Sequence, residues 1–214
     1  MKIAIFYHAI LRGGSVPIDT EFACRIVSEQ MAALDNSGLL DEADELYIGV
    51  NGDKEDADMA RLFVPCPDAW FFIHGADATT EIPTMSRLRE WLPSHPDWCV
   101  LYHHIKGVTH PNMASYKNWR GRMESACVWN WRQCVSDLAK GFDAVGCHWL
   151  TPERFPGAVT SPFFGGTFWW ATAKYLSQLP PLPAATWANR FEAESWIGRR
   201  RPYPNVRDYY PGWP

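Results

Sequence analysis

The sequence lacks the long apolar segments that membrane proteins carry. No stretch of its 214 residues approaches the ~20 apolar residues that a membrane-spanning helix needs, and the apolar run at 3–6 is too short for a signal-peptide core. No segment recurs at a fixed period, which argues against a solenoid or a propeller. With 47% hydrophobic residues the chain can bury one sizeable core but hardly two. We therefore expect one cytoplasmic domain over residues 1–214, without a membrane span.

Three familiar site motifs are also missing. The six cysteines are scattered and include no C-x-x-C pair, which argues against a zinc ribbon or a thioredoxin-type site. Buried free thiols in a reducing compartment are the simpler interpretation. There is no G-x-x-x-x-G-K-[ST] phosphate loop and no G-x-G-x-x-G dinucleotide fingerprint. A P-loop NTPase and a standard dinucleotide-binding dehydrogenase are therefore not indicated.

Charge is unevenly divided along the chain. Residues 1–100 contain 7 Lys/Arg and 17 Asp/Glu, whereas residues 101–214 contain 13 and 7. The second half is therefore net basic and could meet an anionic ligand, although a surplus this mild does not by itself indicate nucleic acid. The 12 tryptophans lie nearly all beyond residue 90, where they could stack on sugar rings or simply fill the core.

The first half of the chain predicts alternating strands and helices. Apolar runs indicate buried strands at 2–8, 45–50, 69–74 and 98–104, and amphipathic patterns indicate helices at 20–35, 55–62 and 84–91. Strands that alternate with helices at this spacing need crossover connections. The predicted fold is therefore α/β, with a mostly parallel sheet covered by helices on both faces.

The second half has a less regular pattern. It predicts a long helix at 114–140, strands at 142–147 and 163–171, helices at 172–178 and 188–197, and an extended surface tail at 199–214. No linker separates this half from the first, so a single domain remains the expectation.

Polar residues follow the predicted strands at their carboxyl ends. Open α/β sheets bind their ligands outside this edge. The residues expected there are Tyr7, His8, Asn51, Asp53, His74, His103, His104, Lys106 and Gly107. Within this set, Lys106 offers a cation for phosphate and Gly107 allows close backbone approach; the plainer interpretation is a tight turn with a solvated lysine.

Two later segments could complete a site. In the run from 164 to 171, two glycines among aromatic residues mean that a strand or a sugar approaches the backbone closely, and spacing alone favours neither. Glu192 and Glu194 cannot share a helix face, so one of them points inward as a possible general base, unless a salt bridge to Arg120, Arg122 or Arg190 claims it. The pair Asp56 and Asp58 forms a D-x-D in an acidic run, which we interpret as solvated.

These segments together resemble small bacterial and viral glycosyltransferase-like proteins of the GT-A type. The resemblance covers roughly residues 70–197. It rests on five segments that occur in the same order along the chain, since each segment alone is weak evidence for the family. Its segments are Tyr-His-His-Ile-Lys-Gly at 102–107, Trp-Arg at 119–120, Asp-Ala-Val-Gly at 143–146, Phe-Gly-Gly-Thr-Phe-Trp-Trp-Ala at 164–171 and Arg-Phe-Glu-Ala-Glu-Ser-Trp-Ile at 190–197.

The resemblance implies a GT-A-like (Rossmann-like) domain that transfers a sugar from a nucleotide-sugar donor, expected to be a UDP-sugar, to a saccharide or other acceptor hydroxyl. Residues 1–110 would bind the donor and residues 111–214 the acceptor. The donor residues would be the rim set other than His74, together with Arg120, and Glu192 or Glu194 would be the base or an acceptor anchor. The acceptor residues would be Gly165, Gly166, Thr167, Trp169 and Trp170.

The sequence departs from the family pattern at two positions. Ile105 replaces a usual Thr, and Thr167 replaces a frequent Asn, so a donor or acceptor contact could differ. The usual metal-binding D-x-D is also replaced, by His104, Ile105 and Lys106. Because Lys and Arg can stabilise phosphate charge, we favour metal-independent transfer with Lys106 and Arg120 on the diphosphate; a histidine–carboxylate metal site remains open.

Two alternatives accompany this interpretation. The same fold could serve a non-catalytic carbohydrate- or nucleotide-binding protein, since fold does not determine function. A glycosyltransferase acting on a modified DNA base ranks third. It would use the basic half and the arginines at 199–201, although such arginines more often neutralise a helix end.

Overall fold

A seven-stranded mixed sheet forms the centre of the molecule. The computed structural model describes residues 1–12, 17–75, 77–78, 80–154, 160–182 and 190–212. The strands are β1 (Ile3–Ile10), β2 (Glu45–Asn51), β3 (Trp70–Ile73), β4 (Cys99–His104), β5 (Ala144–Gly146), β6 (Trp149–Leu150), β7 (Phe163–Phe164), β8 (Trp169–Thr172) and β9 (Val206–Asp208). The sheet order is β3-β2-β1-β4-β8-β5-β9, and β6 pairs with β7 separately.

The first four strands are parallel, as the alternating pattern predicts. Strand β1 pairs in parallel with both β2 and β4, and β2 pairs in parallel with β3. Strand β8 is antiparallel to both β4 and β5, whereas β9 is parallel to β5. The predicted α/β class with a mostly parallel sheet is confirmed, and the antiparallel strand β8 joins its two halves.

Helices cover both faces of this sheet. They are α1 (Thr20–Asn36), α2 (Leu39–Glu42), α3 (Lys54–Arg61), α4 (Ile82–Trp91), α5 (Ala114–Glu124), α6 (Trp131–Ala139), α7 (Ala173–Leu176) and α8 (Arg190–Glu194). Residues of α1, α3, α5 and α6 pack into one core cluster, and residues of α4, α7 and α8 pack into another. Because successive residues of β1 point to opposite faces, Ile5 joins the first cluster and Phe6 the second.

The long helix predicted at 114–140 is interrupted by a π-helical segment at Ser125–Trp129. A π-segment frees backbone carbonyl groups from the helical ladder. Two of them accept side-chain donors here: Cys127 from the indole of Trp170 at 2.8 Å, and Ala126 from the thiol of Cys134. Tertiary contacts therefore replace the backbone bonds that an uninterrupted helix would make.

Three other expectations are corrected. The strand predicted at 163–171 divides into β7 and β8, because a turn with left-handed backbone at Gly166 and Thr167 separates them. The tail is not only a surface wrap, since β9 lies at the sheet edge. Asp56 is buried rather than solvated, because it closes a capping box with Asp53 at the start of α3 and pairs with Arg12.

The cysteines are free thiols, four of them buried and two partly so, as expected from their scattered positions. Within the described part of the chain, no helix combines the length and apolar character required to cross a membrane.

The substitution Trp170→Ala should lower the free energy of unfolding by about 3–5 kcal/mol. Trp170 is fully buried in the first core cluster, so alanine leaves a cavity and removes the bond to the Cys127 carbonyl. Urea denaturation would measure the loss. Trp129→Ala is the matched control, since Trp129 is 54% exposed and should change stability far less. Equal losses for the two variants would contradict the assigned core.

Candidate functional site

A cavity of about 360 Å³ opens at the carboxyl ends of β1 and β4. This is the edge at which the sequence predicts a ligand. Residues from both halves of the chain line the cavity, together with the loop that follows β4: His8, Ile10, Ile18, Thr80, Glu81, His104, Ile105, Lys106, Gly107, Val108, Thr109, His110, Tyr116, Trp119, Phe191 and Glu194.

The loop after β4 presents a cation against an aromatic wall. The Lys106 ammonium lies 4.2 Å from the ring centroid of Trp119, an arrangement that is favourable in itself. Gly107 adopts a φ of 84°, and a Cβ there would lie 3.0 Å from Tyr116. Glycine therefore permits the turn that directs Lys106 along the cavity wall.

Arg120 holds the backbone of this loop through a hydrogen bond. Its side chain is almost fully buried, and one guanidinium nitrogen donates to the carbonyl oxygen of Lys106 at 3.1 Å. The guanidinium also pairs with Glu29 at 3.3 Å and lies 3.8 Å from Glu124. Arg120 lines a neighbouring depression rather than the cavity itself. Its observed contacts therefore position the Lys106 backbone.

The opposite wall is held by a turn between β7 and β8. Nε2 of His104 donates to the carbonyl oxygen of Gly166 at 2.9 Å, and the Gly166 N–H donates to Glu194 at 3.4 Å. Thr167 follows with a φ of 59° and donates to Glu81 at 3.4 Å. Asn tolerates left-handed backbone better than Thr, which gives a physical reason for the Asn that the resembling family often has at this position.

Two of the histidines that line the cavity, His104 and His8, are held neutral. Burial lowers the pKa of His104 to about 4, with Lys106 lowering it further and Glu194 opposing. Burial likewise places the pKa of His8 well below its ordinary value, with His104 and His74 adding to the effect. Neutral imidazoles can both donate and accept hydrogen bonds, whereas Lys106 contributes an ammonium group to the cavity.

The structure brings five of the predicted residues to the cavity: His8, His104, Lys106, Gly107 and Glu194. Gly166 and Thr167 lie directly behind its wall through their bonds to His104, Glu194 and Glu81.

The other donor-side residues lie elsewhere. Tyr7 is fully buried, and its hydroxyl donates to Gln30 at 2.8 Å. His103 is fully buried beside Tyr7 and Phe168, and neither ring nitrogen has a partner among the described residues. Asn51 is buried and donates to the carbonyl oxygen of Thr80 at 3.0 Å. Asp53 is the exposed N-cap of α3.

The remaining acceptor-side and catalytic candidates also lie outside the cavity. Gly165 donates from its backbone to the carbonyl of His148. Trp169 and Trp170 are buried in the core, Trp169 stacked on Tyr102 with ring centroids 5.2 Å apart. Glu192 forms an ion pair with Arg199. Of the two glutamates, Glu194 is therefore the inward one.

Sequence reasoning missed several cavity residues. Tyr116 and Trp119 are three residues apart on α5 and so share a face, a spacing that could have identified an aromatic wall. Thr80 and Glu81 gave no comparable signal, because they lie just before α4 and reach the site through the crossover that follows β3.

Metal ligands do not converge in the described part of the chain, where no group of three or more His, Cys, Asp or Glu side chains is placed to hold an ion. A GT-A-type fold commonly uses a divalent cation, but these residues provide no ligand set for one.

The profile of one known family matches most of this chain. The profile of a family described as "Domain of unknown function (DUF8361)" matches residues 6–195. A ribosome maturation factor RimM from Synechococcus sp. (strain JA-2-3B'a(2-13)) is 34% identical over 68 residues, or 32% of this chain. The matched region spans only about a third of that curated relative, 35% of its length.

Solved structures extend the likeness over nearly the whole chain. A protein described as a nucleotide-diphospho-sugar transferase from Desulfovibrio desulfuricans G20 is 11% identical, with a TM-score of 0.51 covering 99% of this chain and 81% of that one. Glucosyl-3-phosphoglycerate synthase from Mycobacterium tuberculosis, solved with Mn²⁺, UDP and phosphoglyceric acid, is 12% identical, with a TM-score of 0.51 covering 98% and 68%. A 4-diphosphocytidyl-2C-methyl-D-erythritol synthase is 10% identical, with a TM-score of 0.50 covering 97% and 88%. At these identities the likeness establishes a GT-A-like fold.

The substitution Gly166→Ala should destabilise the protein by about 2–4 kcal/mol, because a left-handed φ and a crowded site act together. Gly166 has a φ of 94°, and a Cβ there would collide with Met123. Guanidinium unfolding would measure the change. Gly121→Ala on α5 is the control, since a Cβ there meets nothing within 4 Å, and it should be neutral or stabilising. A wild-type midpoint for Gly166→Ala would contradict the assigned turn.

Proposed function

The chain belongs to the DUF8361 family, and we propose that it transfers a sugar from a nucleotide-sugar donor to an acceptor hydroxyl in the cavity beside β1 and β4. The observation that carries this proposal is the convergence of Lys106, neutral histidines, Glu194 and an aromatic wall in one cavity at the edge where α/β sheets bind ligands. The GT-A-like fold supports it, since nucleotide-diphospho-sugar transferases share that fold.

In this proposal Lys106 binds the diphosphate of the donor. An ammonium group supplies a point charge for phosphate and stabilises the charge that develops on the leaving nucleoside diphosphate. Arg120 contributes by holding the carbonyl of Lys106, rather than by contacting the phosphate. A UDP-sugar is the donor we favour, because the synthase from M. tuberculosis with a similar fold was solved with UDP.

The acceptor hydroxyl is oriented by Glu194. Its carboxylate faces the cavity while one oxygen also receives the Gly166 N–H, so its position is set before a ligand arrives. Because Trp169 and Trp170 are buried, sugar stacking in the cavity is assigned instead to Trp119 and Phe191, which line it. In this proposal the loop after β4 binds the donor, and residues from the second half of the chain bind the acceptor.

The DNA-directed alternative receives little support from the arginines at 199–201. Arg199 pairs with Glu192, and Arg200 pairs with Asp143 at 2.7 Å. Arg201 donates to the backbone carbonyls of Gly198 and Arg200. Two of the three cations are therefore paired with carboxylates, so this segment does not present three unpaired charges to a phosphate backbone.

Thermal melting against nucleotides and nucleotide sugars tests donor binding, because a ligand of the folded state raises the melting temperature. We expect a selective rise with UDP or a UDP-sugar in the presence of EDTA. Product analysis then separates the reactions: glycosyl transfer releases a nucleoside diphosphate, whereas nucleotidyl transfer releases pyrophosphate. Binding without turnover on any acceptor would support a non-catalytic protein instead.

The substitution Lys106→Ala should weaken UDP binding by about tenfold or more, since a hydrogen bond to a charged group contributes about 1.5–3 kcal/mol. Isothermal calorimetry would measure the affinity. Lys117→Ala is the matched control, because Lys117 is an exposed cation on α5 that lines the neighbouring depression and not the cavity. Equal effects of the two variants would show only a general charge effect.

The substitution Glu194→Ala should raise the KM for the acceptor by about tenfold, because the oriented hydrogen bond to the hydroxyl is lost. Steady-state kinetics at saturating donor would measure it. Glu192→Ala removes a carboxylate two residues away that is paired with Arg199 outside the cavity. An acceptor KM that responds to Glu192 but not to Glu194 would reverse the assignment.

A further inference from the structure

A chain of hydrogen bonds leads from the cavity towards the protein surface. Nδ1 of His8, which lines the cavity, lies 2.8 Å from Oγ1 of Thr84. The same hydroxyl oxygen lies 3.0 Å from Nε2 of His74. His8 is in β1, His74 follows β3 and Thr84 is in α4, so three separate elements meet at one hydroxyl group.

The fold leaves space for this chain at Gly49 in the middle of β2. A Cβ at Gly49 would collide with Oγ1 and Cβ of Thr84 and with Nε2 of His74, the last at 2.6 Å. Thr84 is fully buried and His8 nearly so, whereas His74 is half-buried. The Thr84 hydroxyl in the middle of the chain is therefore shielded from solvent, while His8 borders the cavity at one end and His74 is partly exposed at the other.

The single proton of the Thr84 hydroxyl couples the two imidazoles. Thr84 can donate to only one ring nitrogen, and it then accepts from the N–H of the other ring. If His8 carries its proton on Nδ1 and donates to Thr84, then Thr84 donates to Nε2 of His74, and His74 carries its proton on Nδ1. The reverse arrangement places both protons on Nε2. A fully satisfied chain therefore requires the same tautomer at both histidines.

Both rings stay neutral at neutral pH. Burial lowers the pKa of His74 to about 4, with nearby Arg87 lowering it further, and the pKa of His8 is also well below its ordinary value because of burial. A proton can pass such a chain only as a concerted shift, since an imidazolium ion inside it would be unfavourable.

We propose that His8, Thr84 and His74 form a proton relay in which His8 takes the proton of the acceptor hydroxyl and His74 releases one to water. This inference rests on the proposed function and assigns the base that the function needs. His8 would touch the substrate and be the catalytic residue. Thr84 and His74 position its ring and carry the proton from Nδ1 of His8 to water.

The relay conserves atoms and charge. The acceptor oxygen forms a bond to the anomeric carbon of the donor while the bond from that carbon to the diphosphate oxygen breaks, and its electron pair leaves with the nucleoside diphosphate. The hydroxyl proton moves to Nε2 of His8, the Nδ1 proton of His8 to Thr84, the Thr84 proton to Nε2 of His74, and the Nδ1 proton of His74 to water. Once the products leave, exchange with water restores the starting tautomers.

The first experiment measures tautomers in the unliganded protein, independently of turnover. Long-range ¹H–¹⁵N NMR of the imidazoles distinguishes Nδ1–H from Nε2–H, with His8→Gln and His74→Gln assigning the signals. We expect Nδ1–H at both His8 and His74. Opposite tautomers, or Nε2–H at both, would overturn the relay, because His8 would then lack the coupled lone pair on Nε2.

The second experiment removes one hydroxyl group. Thr84→Val keeps the shape of the side chain and breaks the chain, whereas Thr84→Ser keeps the hydroxyl. Positioned acid–base groups contribute about 10²- to 10⁴-fold, so we expect Thr84→Val to lower kcat by at least tenfold with little change in acceptor KM. Thr84→Ser should restore most of the rate. If Thr84→Val folds poorly, His74→Ala breaks the chain at its half-buried end and should lower kcat in the same way.

The outcomes separate the relay from the proposed function. Wild-type protein that binds UDP-sugars but forms no transfer product would contradict the function, while the NMR result would still test the hydrogen-bond chain. A wild-type kcat in both Thr84→Val and His74→Ala would overturn the relay and leave the function intact. If these two variants raised the acceptor KM without lowering kcat, the relay would also be overturned, because a raised acceptor KM is the effect expected from losing an anchoring residue such as Glu194.

Discussion

The hydrogen bond from Nε2 of His104 to the carbonyl oxygen of Gly166 joins the two halves of the chain at the cavity. His104 ends the parallel strand β4, and Gly166 lies in the left-handed turn before the antiparallel strand β8. The same turn directs the Gly166 N–H to Glu194 and the Thr167 hydroxyl to Glu81. Because the bond needs a proton on Nε2, it also fixes the neutral tautomer of His104. The cavity wall therefore depends on one turn whose backbone geometry only glycine adopts at no steric cost.

Burial then determines what the cavity can do chemically. Desolvation holds His8 of β1 and His104 at the end of β4 neutral, whereas Lys106 places an ammonium group against Trp119. Neutral imidazoles suit hydrogen bonding and proton transfer, whereas a permanent cation suits a diphosphate. The cavity places these two tasks on different side chains, His8 and His104 on strands and Lys106 on the loop after β4, and the proposed sugar transfer from a charged donor uses both.

Much of the fold could be predicted from the sequence, since the first four strands are short apolar runs alternating with amphipathic segments. That alternation requires parallel crossovers, and the ligand edge follows from it. Prediction was weaker where the direction of a side chain decides whether it reaches the cavity. Tyr7 and His103 lie on the predicted strands, but their side chains point into the core. The tryptophans at 169 and 170 illustrate the same limit, because a core strand and a sugar platform have the same aromatic composition.

The sequence by itself determined the α/β class, the edge of the sheet that holds the cavity, the lysine that reaches it, and that one glutamate of the pair at 192 and 194 points inward, because strand period, turn residues and charge are local properties. Only the tertiary structure decided that Glu194 and not Glu192 faces the cavity, that Arg120 supports Lys106 from below, and that His8, Thr84 and His74 meet at one hydroxyl. His8 is 76 residues from Thr84 in the chain, whereas His74 and Thr84 are ten residues apart but belong to different elements. Their contact depends on strand order, on the crossover that brings α4 over β2, and on the absence of a side chain at Gly49.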